Sequence, residues 1–178
     1  LNIVANSTVR EEIRNCFRNA SVSIADLPIT VLAMADNILT GPEKRSGCVF
    51  VDMGSETTSV AVFKNNMLRH LAVIPLGSAN INRDIMSLQI EDDEAEELKL
   101  KYGSAIADSD AEEHKPILLR DGRQVKYEEF CGLVEARIEE IILNVKTQIP
   151  LSKYDNAQLI GGLIITGGAS HMKDIDKA

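Results

Sequence analysis

The chain has no tryptophan, four phenylalanines, three tyrosines and three cysteines in 178 residues. With so few aromatics, its core has to rest on Ile, Leu, Val and Ala. Cys16, Cys48 and Cys131 are odd in number and far apart, each in an apolar setting. That pattern excludes a disulfide framework and suits buried thiols in a reducing compartment. Excess positive charge is also missing. Lys and Arg total 19 against 27 Asp and Glu, a net charge of −8, which argues against non-specific binding to nucleic acid or acidic membranes. No apolar run approaches the roughly 18 residues of a membrane span, and no charged-then-apolar leader opens the chain. His70, His114 and His171 lack ligand spacing to one another or to any cysteine, so they do not read as a metal site. What is present, 44% hydrophobic and 26% charged residues, is the composition of a soluble globular protein. The length suits one good core or two small lobes. Leu1 is no initiator methionine, and the last residues read as the first turns of a helix, so the chain reads as a piece of something longer.

The stretch from Cys48 to Phe63 organises the rest. A short apolar run, the mark of a strand buried on both faces, ends in Asp52-Met53-Gly54-Ser55-Glu56-Thr57-Thr58 and resumes as a second strand. Such a turn aims backbone N–H groups and two hydroxyls at one spot, an anion nest suited to phosphate. Asp52, at the strand end, is placed to hold a metal or its water beside the same oxygens. The pattern equally suits an ordinary β-hairpin whose glycine eases the turn.

In chain order, the sequence predicts a strand at Leu1–Val4 and a helix from Thr8 to Ala20 with Val9, Ile13, Cys16 and Phe17 on one face. A strand at Val22–Leu27 and a short helix from Ile29 to Leu39 follow. Gly41 to Gly47 reads as a charged loop and domain boundary. After the strands ending at Phe63 and Ile74 comes a helix with Ile81, Ile85 and Leu88 at helical spacing. Ala95, Leu98 and Tyr102 face inward on the next, which ends at Gly103. Asp108–Lys115 reads as a loop and Pro116–Val125 as a hairpin with Asp121-Gly122 as a two-residue tip. The longest helix runs from Tyr127 to Ile149, closed by Pro150, with a core-facing apolar stripe including Tyr127, Phe130, Val134, Ile138, Ile141 and Val145. Gly161 to Ser170 reads as a buried strand, a Gly167-Gly168 turn and a helix start at His171. Two adjacent glycines there offer bare backbone past which a flat ligand can slide.

These motifs resemble a family. Asp52-x-Gly-x-x-Thr-Thr resembles the second phosphate motif of the actin-like ATPases, and Gly161-Gly-Leu-Ile-Ile-Thr-Gly-Gly-Ala resembles their adenosine motif. Ala95-Glu-Glu-Leu-Lys-Leu-Lys-Tyr-Gly resembles the Ala-Glu-x-x-Lys helix of the bacterial actins. Val73-Ile-Pro-Leu-Gly77, followed by Ile81-Asn-x-Asp-Ile, is most similar to the bacterial cell-division proteins of the FtsA family. The resemblance covers most of the chain.

It implies an α/β fold: the second lobe of an actin-like (ribonuclease H-like) ATPase, a mixed sheet with flanking helices plus a small α+β outer subdomain. Residues 1–47 would end the family-specific subdomain and its connection. Residues 48–90 and 155–178 would form the inner subdomain, and 91–154 the outer one. Gly54, Ser55, Thr57 and Thr58 would cradle the phosphate of ATP, with Asp52 near Mg²⁺ through water. Glu96, Lys99, Gly167, Gly168 and Ala169 would approach the adenosine; spacing alone leaves Glu96 and Lys99 a surface ion pair. The family is expected to bind the FtsZ C-terminal tail, self-associate into filaments and sit at the cytoplasmic face of the membrane at the septum, through a C-terminal helix not present here. Arg137 and Lys146, on the flank of the long helix, are expected to face solvent as partner-binding cations or as a plain solvated flank. At most weak ATPase activity is implied, and none for this chain alone. Another enzyme of the superfamily, a rod-shape actin homologue, chaperone-type ATPase or sugar kinase, is the alternative. Where the family has Gly-Gly-Gly-Thr-Thr-Asp, this chain has Gly54-Ser-Glu-Thr-Thr-Ser59. Glu56 would start within about 6 Å of phosphate oxygens, a repulsion of roughly 0.7 kcal/mol in water-like surroundings and nearly 3 kcal/mol at an effective dielectric of 20.

Overall fold

A computed structural model describes residues 7–107 and 115–178. The chain forms two compact units, Leu1–Thr40 and Gly41–Ala178. In the first, helix α1 (Ser7–Asn19) has no buried residue, so Cys16 is exposed rather than buried as expected. The helix stops in a Schellman turn: Ser21 adopts φ 59° while Val22 N donates to Phe17 O (2.9 Å) and Ser21 N to Arg18 O (2.9 Å). Beyond it, the strand predicted at Val22–Leu27 does not form. The stretch is irregular because no strand among the described residues pairs with it. Helix α2 (Thr30–Ile38) buries Val31 and Ala35. The strand expected at Leu1–Val4 lies outside the described residues, as does most of the Asp108–Lys115 loop.

The second unit is built on a four-stranded mixed sheet of order β3-β2-β1-β6. Strands β1 (Cys48–Met53), β2 (Thr58–Lys64) and β3 (Met67–Ile74) form an antiparallel meander. Asn65 and Asn66, with φ of 55° and 59°, close its second turn in the left-handed conformation that suits right-twisted hairpins. β1 and β2 are buried on both faces, and β3 is a half-exposed edge. Gly41–Ser46, expected as a loop, is instead a one-and-a-half-turn helix, α3. Pro42 is harmless in its first turn, and Glu43 at its start and Lys44 and Arg45 at its end complement the helix dipole.

Helices α4 (Ser78–Met86), α5 (Asp92–Tyr102) and α6 (Tyr127–Leu151) supply most of the remaining core. Val49, Val51 and Met53 from β1 join Val60, Val62, Ile81, Ile85, Phe130, Val134, Ile138 and Ile141 in one buried cluster. Each such side chain contributes about 1.5–3 kcal/mol by leaving water. α6 does not stop at Ile149: Pro150 lies inside its last turn and the helix reaches Leu151. The hairpin β4 (Ile117–Leu118) and β5 (Gln124–Val125) turns through three residues, not two, since Leu119 N donates to Arg123 O (2.9 Å) and Gly122 takes φ 86°. Its backbone is fastened to α5 by Glu94, whose buried carboxylate accepts from Arg120 N at 2.7 Å.

β6 (Leu163–Thr166) lies parallel to β1. It is half exposed rather than buried, because among the described residues β1 is its only neighbour. No α-helix starts at His171. A single 3-10 turn, Gly168–His171, gives way as Lys173 O accepts Ala105 N at 2.8 Å, drawing the chain into a bridge with Ser104.

Arg137 differs most from the sequence expectation. Its guanidinium points at α4, not at solvent: Nε donates to Asp84 Oδ2 (2.6 Å) and Nη2 to Asp84 Oδ1 (2.9 Å), while Nη1 donates to Glu140. Arg137 and Asp84 are only 23% and 25% exposed, and the carboxylate pushes the guanidinium pKa up. This bidentate pair ties α6 to α4. Arg137→Ala is expected to cost about 1–3 kcal/mol in urea unfolding. A double-mutant cycle with Asp84→Ala is expected to return a coupling above about 1 kcal/mol, and a coupling near zero would refute the clamp.

Candidate functional site

The site follows from one register. β1 and β6 run parallel with Asp52 opposite Thr166, so both strands end at the same edge of the sheet and the turns that follow are neighbours. Paired strands lie about 4.8 Å apart, which brings residues 114 positions apart in sequence (166 − 52) side by side. Gly167 completes the junction. Its φ is 90°, and a Cβ there would stand 2.5 Å from Met53 O and 2.7 Å from Asp52 Oδ1. Only glycine lets the second turn lie against the first.

The first turn is closed by Gly54 N donating to Thr57 O at 2.9 Å, with Ser55, Glu56 and Thr57 exposed at its tip. From behind it is held by the start of α4: Ser78 N donates to Gly54 O (3.0 Å) and Ala79 N to Ser55 O (2.8 Å). A Cβ on Gly77 would stand 2.3 Å from Ser55 O, so the helix can reach the turn only through glycine. Thr58 is fully buried and its hydroxyl donates to Leu76 O at 2.8 Å, bracing the same junction. Ser55 and Thr57 are thus the hydroxyls at the open tip. Glu56 pairs with Arg83 at 3.1 Å, both more than half exposed, a contact worth about 0–1 kcal/mol.

Beside these turns lies a cavity of about 440 Å³. Glu96, Lys99, Gly168 and Ala169, four residues singled out in the sequence, all line it, with Ser78, Tyr102 and Tyr127. Lys99 is only 7% exposed, and its Nζ donates to Glu96 Oε2 at 2.6 Å. The same oxygen accepts from Asn82 Nδ2 at 2.7 Å. The Lys99 hydrogen bond, chiefly, holds the Glu96 carboxyl below the ordinary glutamate range against the opposing push of burial, with the Asn82 bond adding to it. A nearly buried ammonium paired to a half-exposed carboxylate gives the cavity one fixed cation and one acceptor, the equipment for a polar ligand with hydroxyls. Tyr102 and Tyr127 meet edge to face, centroids 6.4 Å apart, and give it an aromatic wall.

Sequence reasoning assigned both tyrosines to the core and passed over Asn82. The signal for Asn82 was a lone amide on the buried stripe of α4, next to Ile81 and one turn before Ile85. As for a metal, no cluster of three acidic, His or Cys side chains occurs among the described residues. Asp52 is a single carboxylate at the first turn, which fits Mg²⁺ only where phosphate oxygens and water complete the shell. Lys146 is exposed on α6, and Arg137 is held by Asp84.

A family model described as "Cell division protein FtsA" matches residues 49–178. The "Cell division protein FtsA" of Neisseria meningitidis serogroup B is 32% identical over 178 residues, covering 97% of this chain and 43% of that protein. That of Bacillus subtilis is 32% identical over 178 residues, covering 97% and 40%. The chain therefore spans about two fifths of the length of the curated relatives it matches. Among solved structures, MreB5 of Spiroplasma citri bound to ADP superposes with a TM-score of 0.78 at 16% identity, over 97% of this chain and 57% of that one. The ethanolamine utilization protein EutJ from Carboxydothermus hydrogenoformans superposes with a TM-score of 0.64 at 19% identity, over 92% and 50%. The fold is that of the actin-like ATPases.

Two adjacent glycines separate the junction from its surroundings. Gly167→Ala is expected to cost about 2 kcal/mol or more, from positive φ and a backbone clash together. Gly168→Ala, where a Cβ meets nothing within 4 Å, is expected to stay within about 0.5 kcal/mol. Equal unfolding midpoints for the two variants in urea would contradict the close approach of the turns.

Proposed function

The chain belongs to the FtsA family of cell-division proteins, and we propose on that premise that it supplies one side of an ATP–Mg²⁺ cleft in a division adaptor. In this reading the turn Gly54–Thr57 cradles the phosphates through its backbone and the Ser55 and Thr57 hydroxyls, with Thr58 bracing it from within. Asp52 holds Mg²⁺ through a water. Glu96, Lys99, Gly167, Gly168 and Ala169 receive the adenosine. The observation that carries the reading is the Asp52–Thr166 register, which sets the phosphate turn beside a cavity lined by Glu96, Lys99, Gly168 and Ala169. MreB5 of Spiroplasma citri, which shares this fold, was solved bound to ADP, and that is in keeping with the reading.

In this reading the complete protein also self-associates into actin-like filaments and attaches FtsZ at the inner face of the cell membrane. A peripheral anchor supplies the attachment in this reading; among the described residues no helix is long and apolar enough to cross a membrane. Arg137 is held by Asp84, so exposed Lys146 is the cation on α6 to which the FtsZ tail is assigned. In this reading hydrolysis is weak at most, because Ser59 stands where the family carries an acid after the Thr pair.

Two measurements test this. By calorimetry, the complete protein is expected to bind Mg-ATP in the micromolar range and this 178-residue chain alone no better than about millimolar, a gap of about 4 kcal/mol. Micromolar binding by the chain alone would overturn the two-sided cleft. Lys146→Glu is expected to weaken binding of a labelled FtsZ tail peptide about fivefold, close to 1 kcal/mol. Unchanged binding would move the FtsZ surface elsewhere.

A further inference from the structure

Asn82 is more than nine-tenths buried on α4, and its amide is asymmetrically served. Nδ2 donates to Glu96 Oε2 at 2.7 Å and lies 3.5 Å from Asp92 Oδ1. Oδ1 has no partner and is the single such buried side-chain atom among the described residues. Turning the amide over would set its carbonyl against two carboxylates, so the orphan is the consequence of serving Glu96. An unsatisfied buried carbonyl lowers stability, and an apolar side chain would avoid it. Folding alone therefore does not account for an amide here.

What the amide achieves is a division of labour on the Glu96 carboxylate. Oε2 accepts from both Asn82 and Lys99, and no donor among the described residues reaches Oε1. Glu96 lines the cavity, so it brings there a carboxylate fixed by two donors with one oxygen open. A fixed, ionised acceptor suits a ligand hydroxyl, and a ribose carries two on adjacent carbons. The start of α4 also holds the carbonyls of the first turn, so Asn82 ties the carboxylate to the same helix that holds that turn.

We propose that Asn82 is a positioning residue: it locks Glu96 so that its open oxygen accepts from the ribose 2′-hydroxyl, and it thereby makes the site prefer ribonucleotides to 2′-deoxyribonucleotides. The inference rests on the nucleotide reading above and goes beyond it, because it names the source of sugar selectivity. A site that hydrogen-bonds a substrate hydroxyl rejects the analogue lacking it more strongly than a merely shaped one.

The test compares dissociation constants of Mg-ATP and Mg-2′-deoxy-ATP for the complete protein and for Asn82→Leu, with Asn82→Ala as the second variant should leucine not fit. The unaltered protein is expected to prefer ATP about tenfold, near one charge-assisted hydrogen bond. In the variant the preference is expected to fall to about onefold while 2′-deoxy-ATP affinity stays within about twofold. Carbon-13 NMR of the Glu96 carboxyl, depressed in the unaltered protein by Lys99 and Asn82, is expected to show its titration moving up in the variant. Equal weakening of both nucleotides, or an unchanged preference, would overturn the positioning role and leave the nucleotide reading standing. So would an unaltered protein that binds both nucleotides equally. An unaltered protein that binds neither would overturn the nucleotide reading and this inference with it.

Discussion

The parallel pairing of β1 with β6 is the constraint on which the rest of the site depends. β6 is four residues long and half exposed, so its own burial cannot hold it in place. Its register is pinned at both ends. Where it enters, Gly161 N donates to Gly47 O (2.7 Å), Val49 N to Gly162 O (2.9 Å), and Lys64 Nζ to the carbonyls of Gln158 (2.5 Å) and Ser46 (2.6 Å). Where it leaves, Gly167 lies against Met53 and Asp52. A slip of one residue would break this set and turn every side chain of β6 to the other face. The geometry of the two turns is thus a property of backbone contacts, and the glycines are the positions where side chains had to be absent.

Much of this unit was legible from local pattern. The meander, α4, α5 and α6 follow from alternation, helical spacing and turn residues, and the buried stripe of α6 coincides with its periodic positions. Most of the misses share a cause: they depend on something far away in sequence. Val22–Leu27 has strand composition, but a strand exists only with a partner. β6 reads as a buried run, yet its exposure is set by what lies beside it. Pro150 reads as a stop, but a helix can carry a proline in its last turn when packing holds the preceding residues. At α3 the fault was local. The same Gly, Pro and charges that suggest a loop satisfy a short helix whose dipole they complement.

The site shows the same division. Glu96 and Lys99 are three apart on a helix, and Gly168 and Ala169 follow a strand. Their gathering around one cavity needed only the right strand order. Arg137 shows the limit of helical-wheel reasoning. Its place between inward-facing Val134 and Ile138 puts it on a flank, but a long guanidinium reaches sideways, and Asp84 on α4 lies within that reach. In the sequence Asp84 stands out only as the acid of the Ile81-Asn-x-Asp-Ile motif. No single-helix pattern joins two residues 53 apart, so the most directional ion pair in the unit was invisible until α4 and α6 were packed.

Glu56 carries this lesson into electrostatics. Considered alone, an acid at the tip of a phosphate-type turn repels any anion held there. In the structure it stands 3.1 Å from Arg83, so the turn presents a pair and not a lone charge. A pair at that spacing has nearly no net charge. Its field falls off faster than that of either member, and at roughly 6 Å the repulsion from the carboxylate is opposed by attraction to the guanidinium. Both groups are well exposed, so water and salt weaken each effect to a fraction of the Coulomb value. Removing Glu56 would therefore do two things at once: abolish a repulsion and release an arginine from its partner. Both act in the same direction on an anion. The acid is thus half of an exposed ion pair on the rim of the turn, and its net effect on an anion is set together with that of Arg83.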